Sequence, residues 1–487
     1  MNITAVSILL LSIYFLFIRK KGSKKAKKGK ENQQKKGKHF YLKSDTRKYE
    51  IHNLNRGIIG IGGAGSGKTY SLIEPLLSYC IKGKGVLCFD PKGDLTPMIN
   101  KTAKKYDKPI LNFSLDDNFD KINPISLCKD KSDIIDFSSY FLSGIVGVPQ
   151  NDNAKYFFNS AKSVLTGVVI FLKNKGEKYA TIPHIIAIFL TIEPEELIRL
   201  LGTDEEAKRS ATVLRSVGKD PKLLGSIIST FTAFFSSLDT PKIFRNLNTT
   251  EELNLPNDPE NPSVINLVFN LQKRDLYTPI YSSIVGLVLK KMNTPGQHES
   301  AVIIDEFTCL SIPDFQNIPE TARSNEIATC IAIQDLSQLI TRYGREIASS
   351  IVSNMGSQFL FRTTNPETLR HFSDMLGTRE KEQISRSGKI NDVLKTKTTS
   401  IVDKKIINNE RVIKFNAGMV WGVVAEGNHK LIEGDRVNGN HYMDDLDSID
   451  FKIDKVADEQ EIYTQVYSDV AELLRVKKTV APKKFNV

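Results

Sequence analysis

The stretch GIIGIGGAGSGKTYSLIEPLL, residues 57–77, decides the fold. Residues 62–69 satisfy the P-loop pattern Gly-x-x-x-x-Gly-Lys-[Ser/Thr]. The isoleucine-rich residues 58–61 predict a buried strand before the loop, and the apolar spacing over 70–80 predicts a helix after it. A strand, a glycine-rich loop and a helix in this order aim a helix N-terminus at an anion. We therefore expect an α/β nucleotide-binding core.

The loop supplies the groups that bind nucleotide phosphates and their metal. Its glycines let backbone N–H groups turn inward, Lys68 reaches the β- and γ-phosphate oxygens, and the Thr69 hydroxyl is a ligand for Mg²⁺. ATP and Mg²⁺ are thus the expected cofactors. The expected nucleotide-binding residues are Gly62, Gly63, Ala64, Gly65, Ser66, Gly67, Lys68, Thr69 and Tyr70.

Two further strands are expected to end in catalytic polar residues. The motif AVIIDEF has four apolar residues followed by two acids, Asp305 and Glu306. P-loop enzymes hold Mg²⁺ through an acid at the end of a buried strand, so Asp305 is the expected metal residue and Glu306 the expected general base. The strand ATCIAIQ ends in Gln334, which either orients the attacking water or is a polar cap on the strand.

Other polar residues leave alternatives open. The strand in GVLCFDPKGDL ends in Asp90, and this residue with Lys92 and Asp94 either lines the nucleotide site or forms a solvated turn. Arg323, eleven residues before Gln334, is either an arginine finger for a neighbouring subunit or a plain surface arginine. Arg362, which follows the apolar run SQFLF, competes for the role of the finger.

The distance between motifs predicts an insertion. Asp305 follows Lys68 by 237 residues, which is more than a minimal P-loop core needs. Residues 131–250 contain successive stretches with apolar residues at i, i+3 and i+4, which predict an all-α domain. The aromatic residues 156–158 in this domain fit a hydrophobic core better than a platform for stacking nucleic-acid bases. Strand patterns return near residue 261, and the short runs VIKF and MVWGVV are β-like. The expected domains are a first nucleotide-binding part at 49–130, an all-α domain at 131–255, a second nucleotide-binding part at 256–440 and an acidic tail at 441–487.

The basic charge of the chain is local. The net charge is +11, but residues 19–48 hold fourteen basic and two acidic residues, so the other 457 residues sum to −1. An uncharged apolar run, residues 3–18, precedes this block. We expect one transmembrane anchor within 1–18 and a basic juxtamembrane tether at 19–48, with everything after residue 19 in the cytoplasm. A cleaved signal peptide is the alternative, but it needs a basic start and a small-residue cleavage site.

The cysteines and the C-terminal acids give weaker indications of function. The five cysteines form no Cys-x-x-Cys pair, which favours buried thiols in a reducing compartment over a metal site. Residues 444–461 contain eight acids and two lysines. This stretch is either a solvated surface or a docking tail for basic partners.

Taken in order, the motifs resemble one family. After the N-terminal apolar run come GIGGAGSGKT, LCFDPKGDL, KINPISL, the helical insertion, VIIDEF, AIQDLSQL and FLFRTTNPETLRHFSDMLG. Their order over roughly residues 50–440 is similar to the coupling proteins of type IV secretion and conjugation, the TraG/TraD group. Many relatives have two membrane spans, whereas this chain shows one apolar run that suits a span.

The resemblance implies a RecA-like motor that assembles as a homohexamer at the bacterial inner membrane. Such an ATPase passes single-stranded DNA, with an attached relaxase, towards a secretion channel. It implies nucleotide and metal roles for Lys68, Thr69 and Asp305. It assigns the base to Glu306, the sensor glutamine to Gln334 and the trans-acting arginine to Arg323. Two other functions remain open: a chromosome-pump type of DNA translocase, and a nucleotide-gated substrate receptor with little motor activity.

Overall fold

A computed structural model of the protein describes residues 39–211, 221–387, 396–438 and 458–475. The predicted anchor, most of the predicted tether and most of the acidic stretch lie outside these residues. Among the helices that are described, none is long and apolar enough to cross a membrane.

The strands, in chain order, are β1 (Phe40–Ser44), β2 (Lys48–Ile51), β3 (Ile58–Ile61), β4 (Gly85–Asp90), β5 (Ile110–Phe113), β6 (Val264–Val268), β7 (Ser300–Ile304), β8 (Ile327–Ile333), β9 (Ser357–Leu360), β10 (Thr378–Ser387), β11 (Thr396–Lys405), β12 (Met419–Val423) and β13 (Leu431–Asn438). The helices are α1 (Glu74–Gly83), α2 (Thr96–Lys105), α3 (Lys131–Val146), α4 (Asp152–Lys175), α5 (Ile182–Thr191), α6 (Pro194–Leu201), α7 (Glu205–Ser210), α8 (Pro221–Ser236), α9 (Pro241–Leu247), α10 (Arg274–Met292), α11 (Ile318–Ser324), α12 (Leu336–Tyr343), α13 (Arg345–Asn354), α14 (Pro366–Leu376), α15 (Asn409–Ile413) and α16 (Glu459–Arg475).

One large sheet forms the centre, in the order β2-β1-β13-β12-β9-β3-β8-β7-β4-β6-β5. From β9 to β5 the neighbouring strands are parallel, whereas β12, β13, β1 and β2 extend the sheet with antiparallel pairs. Every residue of β7 and β8 is buried, as expected for parallel strands that are covered on both faces. The sequence therefore predicted the mixed α/β class with a parallel P-loop core correctly.

Two hydrophobic cores cover the two faces of the sheet. Alternate residues of a strand point to opposite faces, so Ile303 belongs to one core and Ile304 to the other. The first core contains the apolar side of α1, and the second contains α10 together with the helical insertion. The parallel strands are therefore held between two helical layers, and their C-terminal ends stay available for a site.

The helical insertion is fixed to the sheet through α3 and α10. A Cβ on Gly286 would lie 2.6 Å from the ring of Tyr140, so the two helices need a glycine at their contact. At the start of α3, Asp133 accepts from Lys291 at 2.5 Å and lies 3.1 Å from the Nζ of Lys290. The predicted stretch of successive helices is present from α3 to α9 in the described residues.

Two predicted segments and one predicted strand differ from the structure. The tether predicted for 19–48 contains β1 and the start of β2, because β1 pairs with β13 at the edge of the sheet. In the VIKF run, Val412 and Ile413 end α15 and no residue is in a strand, whereas MVWGVV contains β12 as predicted. The predicted acidic tail contains α16, whose Tyr467 stacks on Phe244 in α9.

Candidate functional site

The P-loop joins β3 to a tight helical turn. Residues Thr69–Ile73 form a single π-helical turn that leads directly into α1. Gly67 has a φ of +91°, and a Cβ there would lie 2.4 Å from the backbone nitrogen of Gly418. The Gly418 N–H also donates to the Ser66 carbonyl at 2.9 Å. The pattern requires glycine at position 67 because the loop is packed against the segment before β12.

Lys68 is held inside the loop. Its ammonium donates to the carbonyl of Gly62 and lies 3.4 Å from that of Gly63. Burial lowers the pKa of Lys68, while the charges of Glu306 and Asp305 act in the opposite direction. The ammonium therefore occupies the cradle that the pattern assigns to phosphate oxygens, and loop carbonyls are its hydrogen-bond acceptors.

The strand end of β7 meets the P-loop through Asp305. The Thr69 hydroxyl donates to Asp305 Oδ2 at 2.9 Å. Burial raises the pKa of Asp305, and the Thr69 hydrogen bond and the Lys68 charge oppose that rise. The predicted pair of metal-binding residues is thus in direct contact.

A hydroxyl and one acid are what a hydrated Mg²⁺ needs from a protein, because this ion keeps several waters and takes phosphate oxygens as its other ligands. Over the described part of the chain, no group of three or more His, Cys, Asp and Glu residues is arranged to hold a metal ion. Thr69 and Asp305 fit a magnesium ion bound together with a nucleotide, and they do not form an all-protein cage.

Glu306 has an unusual backbone conformation. Its φ of +68° and ψ of +65° place a non-glycine residue in the left-handed region. Such strain costs of the order of 1–3 kcal/mol and is concentrated at functional sites. The carboxylate accepts a hydrogen bond from the Thr308 hydroxyl at 2.7 Å. The turn therefore fixes the predicted base beside Asp305.

Gln334 follows β8 at the same edge of the sheet. Its Oε1 accepts from Gln338 Nε2 at 3.3 Å, and Gln338 Oε1 lies 3.4 Å from the Thr308 hydroxyl. A chain of polar groups thus runs from Glu306 through Thr308 and Gln338 to Gln334. This placement suits a residue that orients water near the base.

These residues line one cleft of about 300 Å³, which we call the P-loop cleft. It brings together the predicted residues Ala64, Gly65, Gly67, Lys68, Thr69, Tyr70, Asp305, Glu306 and Gln334. Gly62, Gly63 and Ser66 do not line it; the first two contribute carbonyls to Lys68. Asp90, Lys92 and Asp94 also line the cleft, so they do not form a merely solvated turn.

Asp90 is mainly a structural residue. Its carboxylate accepts from the backbone N–H groups of Lys92, Gly93, Leu95 and Thr96 at 2.9–3.3 Å, and from the Thr96 hydroxyl at 3.1 Å. Burial raises the pKa of Asp90, and these hydrogen bonds oppose the rise. It shapes the turn that carries Lys92 and Asp94.

Sequence reasoning missed four residues of the cleft, of which Pro91 and Leu95 lie in the turn after β4 and Glu74 and Leu271 lie elsewhere. Glu74 lines it from the first turn of α1, and burial together with the charges of Asp305 and Asp94 raises its pKa. Leu271 lines it from the segment after β6 and is 39% exposed. The rule that parallel strand ends converge could have indicated Leu271, whereas nothing in the local pattern marks Glu74.

The two candidate arginines lie at opposite ends of the parallel strands. Arg323 is exposed in the last turn of α11, just before β8 begins, and β8 runs seven residues, about 20 Å, to the edge that carries the cleft. Arg362 follows β9 at the cleft edge, and its backbone carbonyl accepts from Gly63 N–H at 2.8 Å. Its guanidinium would lie 3.8 Å from a Cβ on Gly65. Arg362 is therefore beside the P-loop of its own chain, and Arg323 is remote from it.

Comparison with known proteins gives a consistent result. The family model for type IV secretory system conjugative DNA transfer matches residues 17–432. No curated protein sequence matches the chain.

Solved structures share the fold at low sequence identity. The bacterial conjugative coupling protein TrwBdeltaN70, in an unbound monoclinic form, is 15% identical, with a TM-score of 0.62 over 84% of this chain and 93% of that one. TrwB in complex with ADP and Mg²⁺ is 15% identical, with a TM-score of 0.60 over 82% and 87%. VirB4 of Thermoanaerobacter pseudethanolicus is 13% identical, with a TM-score of 0.52 over 84% and 99%.

Proposed function

The chain belongs to the type IV secretory system family of conjugative DNA transfer proteins, and from this premise we propose that it is a membrane-anchored ATPase that drives single-stranded DNA or nucleoprotein into a secretion channel. The observation that carries the proposal is the P-loop cleft, in which Lys68 and Thr69 face Asp305 and Glu306. A phosphate-binding lysine, a metal-binding pair and a neighbouring base are the parts that hydrolysis of a nucleoside triphosphate requires.

The residues of the cleft have separate roles in this proposal. TrwB, which shares the fold, has been solved with ADP and Mg²⁺ and with an ATP analogue. In this chain the P-loop N–H groups and Lys68 would bind the phosphates, while Thr69 and Asp305 would hold the ion. Bound Mg²⁺ supplies charge neutralisation on the phosphate oxygens. Lys68 then exchanges the loop carbonyls for phosphate oxygens.

Glu306 and Gln334 act on water. Glu306 accepts a proton from the attacking water, and its strained turn holds the carboxylate at the edge of the cleft. Gln334 positions that water from the end of β8. Burial of Asp305 and Lys68 strengthens the electrostatic interactions at the point where charge develops.

The proposal includes a ring of identical subunits. An arginine that stabilises charge on the γ-phosphate often comes from a second subunit. Arg323 is exposed and too far from the cleft of its own chain, which supports a role in the cleft of a neighbour. We include a homohexamer in the proposal because the resemblance to the family implies it.

Membrane attachment and partners are further parts of the same proposal. The apolar run at 3–18 would anchor the protein in the bacterial inner membrane, and the basic block after it would keep the ATPase on the cytoplasmic side. Relaxase-bound single-stranded DNA and the channel proteins of the secretion system would be the partners.

The test is the transfer activity of Lys68→Ala in cells that express the full chain, with Lys208→Ala in the helical insertion as a control. The Lys208 side chain is 40% exposed and pairs with Glu205 in the helical insertion, so its loss leaves the cleft intact. Lys68→Ala should insert into the membrane normally and lose DNA transfer, while Lys208→Ala transfers normally. Normal transfer by Lys68→Ala would overturn the motor proposal and favour the receptor role.

A further inference from the structure

A second cleft, of about 790 Å³, adjoins the P-loop cleft at the same edge of the sheet. It is lined by Arg274 and Arg342, by Gln334, Gln338 and Thr341, and by Asn365. We call it the arginine cleft. Gln334 lines both clefts, so they share a wall.

The two arginines of this cleft converge on one backbone carbonyl. Arg274 Nη2 donates to the Thr308 carbonyl, and Arg342 Nε donates to the same oxygen at 3.2 Å. Burial lowers the pKa of Arg342, and the positive charge of Arg274 lowers it further. Two guanidinium groups, which stay charged at any physiological pH, are therefore held side by side.

Within the described residues, no acid forms an ion pair with either arginine, and the Nε of Arg274 is buried without a hydrogen-bond partner. Asp335 is the acid of the cleft lining, and its Oδ1 caps α12 by accepting from Gln338 N–H at 2.9 Å. The charge of Asp275, which does not line the cleft, raises the pKa of Arg342. Two guanidinium groups held side by side favour binding of an anion, because guanidinium forks match phosphate and carboxylate oxygens.

The other lining groups favour a phosphate of a polynucleotide strand over a carboxylate. Gln334, Gln338, Thr341 and Asn365 are neutral, and amides and hydroxyls of this kind contact phosphate and sugar oxygens in nucleic-acid complexes. The family match to conjugative DNA transfer supplies the same class of ligand. An open cleft with this lining suits a passing strand.

Thr308 connects this cleft with the base. Its carbonyl accepts from both arginines, while its hydroxyl donates to Glu306. We propose, on the basis of the function proposed above, that Arg274 and Arg342 bind a phosphate of single-stranded DNA and that Thr308 communicates this occupancy to Glu306. A strand that draws the guanidiniums away from the Thr308 carbonyl loosens the hold of Thr308 on the base, and ATP hydrolysis accelerates.

The first experiment measures DNA binding without hydrolysis. The full chain in detergent, loaded with a non-hydrolysable ATP analogue, is titrated with fluorescent oligothymidylate over a series of salt concentrations. Each phosphate contact contributes about −0.7 to the slope of log affinity against log salt for single strands. Because both arginines bind one phosphate, Arg274→Gln with Arg342→Gln should lower the magnitude of the slope by about 0.7 and weaken binding about tenfold.

Arg345→Gln is the matched control. Arg345 lies three residues after Arg342, but its guanidinium pairs with Glu367 at 2.7 Å outside the cleft, so its loss should leave the slope unchanged. Binding of a fluorescent ADP by each variant verifies the fold. The double lysine variant keeps both charges and should keep most of the slope; a lysine pair that binds as weakly as the glutamine pair would contradict the proposal.

An unchanged slope in the double glutamine variant would overturn the binding site. If that variant also loses self-association, measured by sedimentation, the arginines would be assigned to a carboxylate of a second copy. Because no hydrolysis is involved, failure here is distinguishable from failure of the motor proposal.

The second experiment tests communication with the base. Thr308→Val keeps the carbonyl and removes the hydroxyl that donates to Glu306. It should bind oligothymidylate like the wild type, while the ratio of hydrolysis rates with and without the oligonucleotide falls to about one. A wild-type ratio in Thr308→Val would disprove the role of Thr308 as the link.

Discussion

Thr69 and Asp305 are 236 positions apart in the chain, and their side chains are joined by a hydrogen bond of 2.9 Å. The contact brings the helical turn after the P-loop to the C-terminal end of β7. Neither residue alone would fit a metal, since a threonine hydroxyl is a weak ligand and a single acid is common at strand ends. Their contact is what makes the P-loop cleft suitable for a magnesium nucleotide.

Asp305→Asn is the first prediction that follows. The amide keeps the size of the side chain and removes the negative charge that faces the ion. We expect the apparent affinity for Mg²⁺, measured by metal titration of ATP hydrolysis, to fall about 10–100-fold, as it does when groups that support a metal are altered. Asp94 lies on the rim of the cleft, so Asp94→Asn is the control and should change the apparent affinity for Mg²⁺ little. Equal titration curves for Asp305→Asn and the wild type would exclude a metal role.

Glu306→Gln should separate nucleotide binding from hydrolysis. Loss of a general base typically lowers the rate about 10²–10⁴-fold, whereas the phosphate cradle of the P-loop remains intact. Fluorescent ATP should bind with unchanged affinity while phosphate release falls by that factor. Should affinity fall together with the rate, Glu306 would instead be a binding residue.

Mixing variants tests whether Arg323 acts between subunits. A ring that mixes Arg323→Ala with Glu306→Gln contains interfaces where one subunit supplies an intact arginine and the next supplies an intact base. We expect the mixture to recover measurable ATP hydrolysis, although each variant alone is inactive. An arginine finger can contribute about 10³–10⁵ in rate, so even rare intact interfaces are detectable.

Arg362→Ala provides the comparison for that experiment. Because Arg362 lies beside its own P-loop, a defect in this variant should be rescued poorly by mixing with Glu306→Gln. Recovery by Arg362→Ala and none by Arg323→Ala would reverse the assignment of the two arginines.

Local sequence patterns were sufficient to predict the strands and site residues at the centre of the sheet. Residues of the P-loop and the two acids after β7 are recognisable because glycine positions, apolar runs and strand-end acids have direct physical meaning. The convergence of Lys68, Asp305 and Gln334 then follows from one rule, that the C-terminal ends of parallel strands share an edge.

The antiparallel edge of the sheet and the C-terminal helix were harder to predict from the sequence. The β1 strand carries Lys43 within a basic segment, and its pairing with β13 joins residues almost 400 positions apart, which no local pattern encodes. VIKF is too short to distinguish strand from helix by periodicity. Its one cue was Asn408, whose side chain caps α15 by accepting from Arg411 N–H at 3.3 Å.

The sequence of α16 has the apolar periodicity of a helix, but the acidic residues nearby decided the prediction. Tyr463, Val466, Tyr467 and Val470 recur at spacings of three and four, which is typical of one helix face. The acids at 444–461 led instead to the prediction of an acidic tail, either a solvated surface or a docking tail for basic partners. The acidic composition therefore gave the wrong prediction for this segment, whereas the apolar periodicity would have predicted the helix.

Asp90→Ala should destabilise the protein. The change leaves four backbone N–H groups and one hydroxyl without their acceptor, and a buried unsatisfied polar group costs about 1–3 kcal/mol. We expect the free energy of unfolding in urea to fall by roughly 2–4 kcal/mol, after some groups gain water. Asp94→Ala, whose carboxylate is on the rim, should unfold like the wild type. Equal unfolding midpoints for all three proteins would contradict the structural role.

The contact between α5 and α16 contains a buried histidine. His184 is buried, its Nδ1 lies 2.7 Å from the Thr181 hydroxyl, and its Nε2 lies 3.5 Å from Asp469 of α16. Burial lowers the pKa of His184 to about 4, while Asp469 raises it and Lys178 lowers it. The unfolded chain, with a histidine pKa near 6.5, therefore binds the proton more readily than the folded protein does.

Stability must then fall as the pH falls from 6.5 towards about 4, by up to about 1.4 kcal/mol for each pH unit. Thermal unfolding of the wild type and of His184→Asn, measured across this window, checks the effect. The variant does not titrate, so its unfolding temperature should decline less steeply with falling pH. His298→Asn is the control, because His298 is only partly buried and lies outside this contact. Parallel pH profiles for the wild type and His184→Asn would show that proton uptake at this contact does not influence stability.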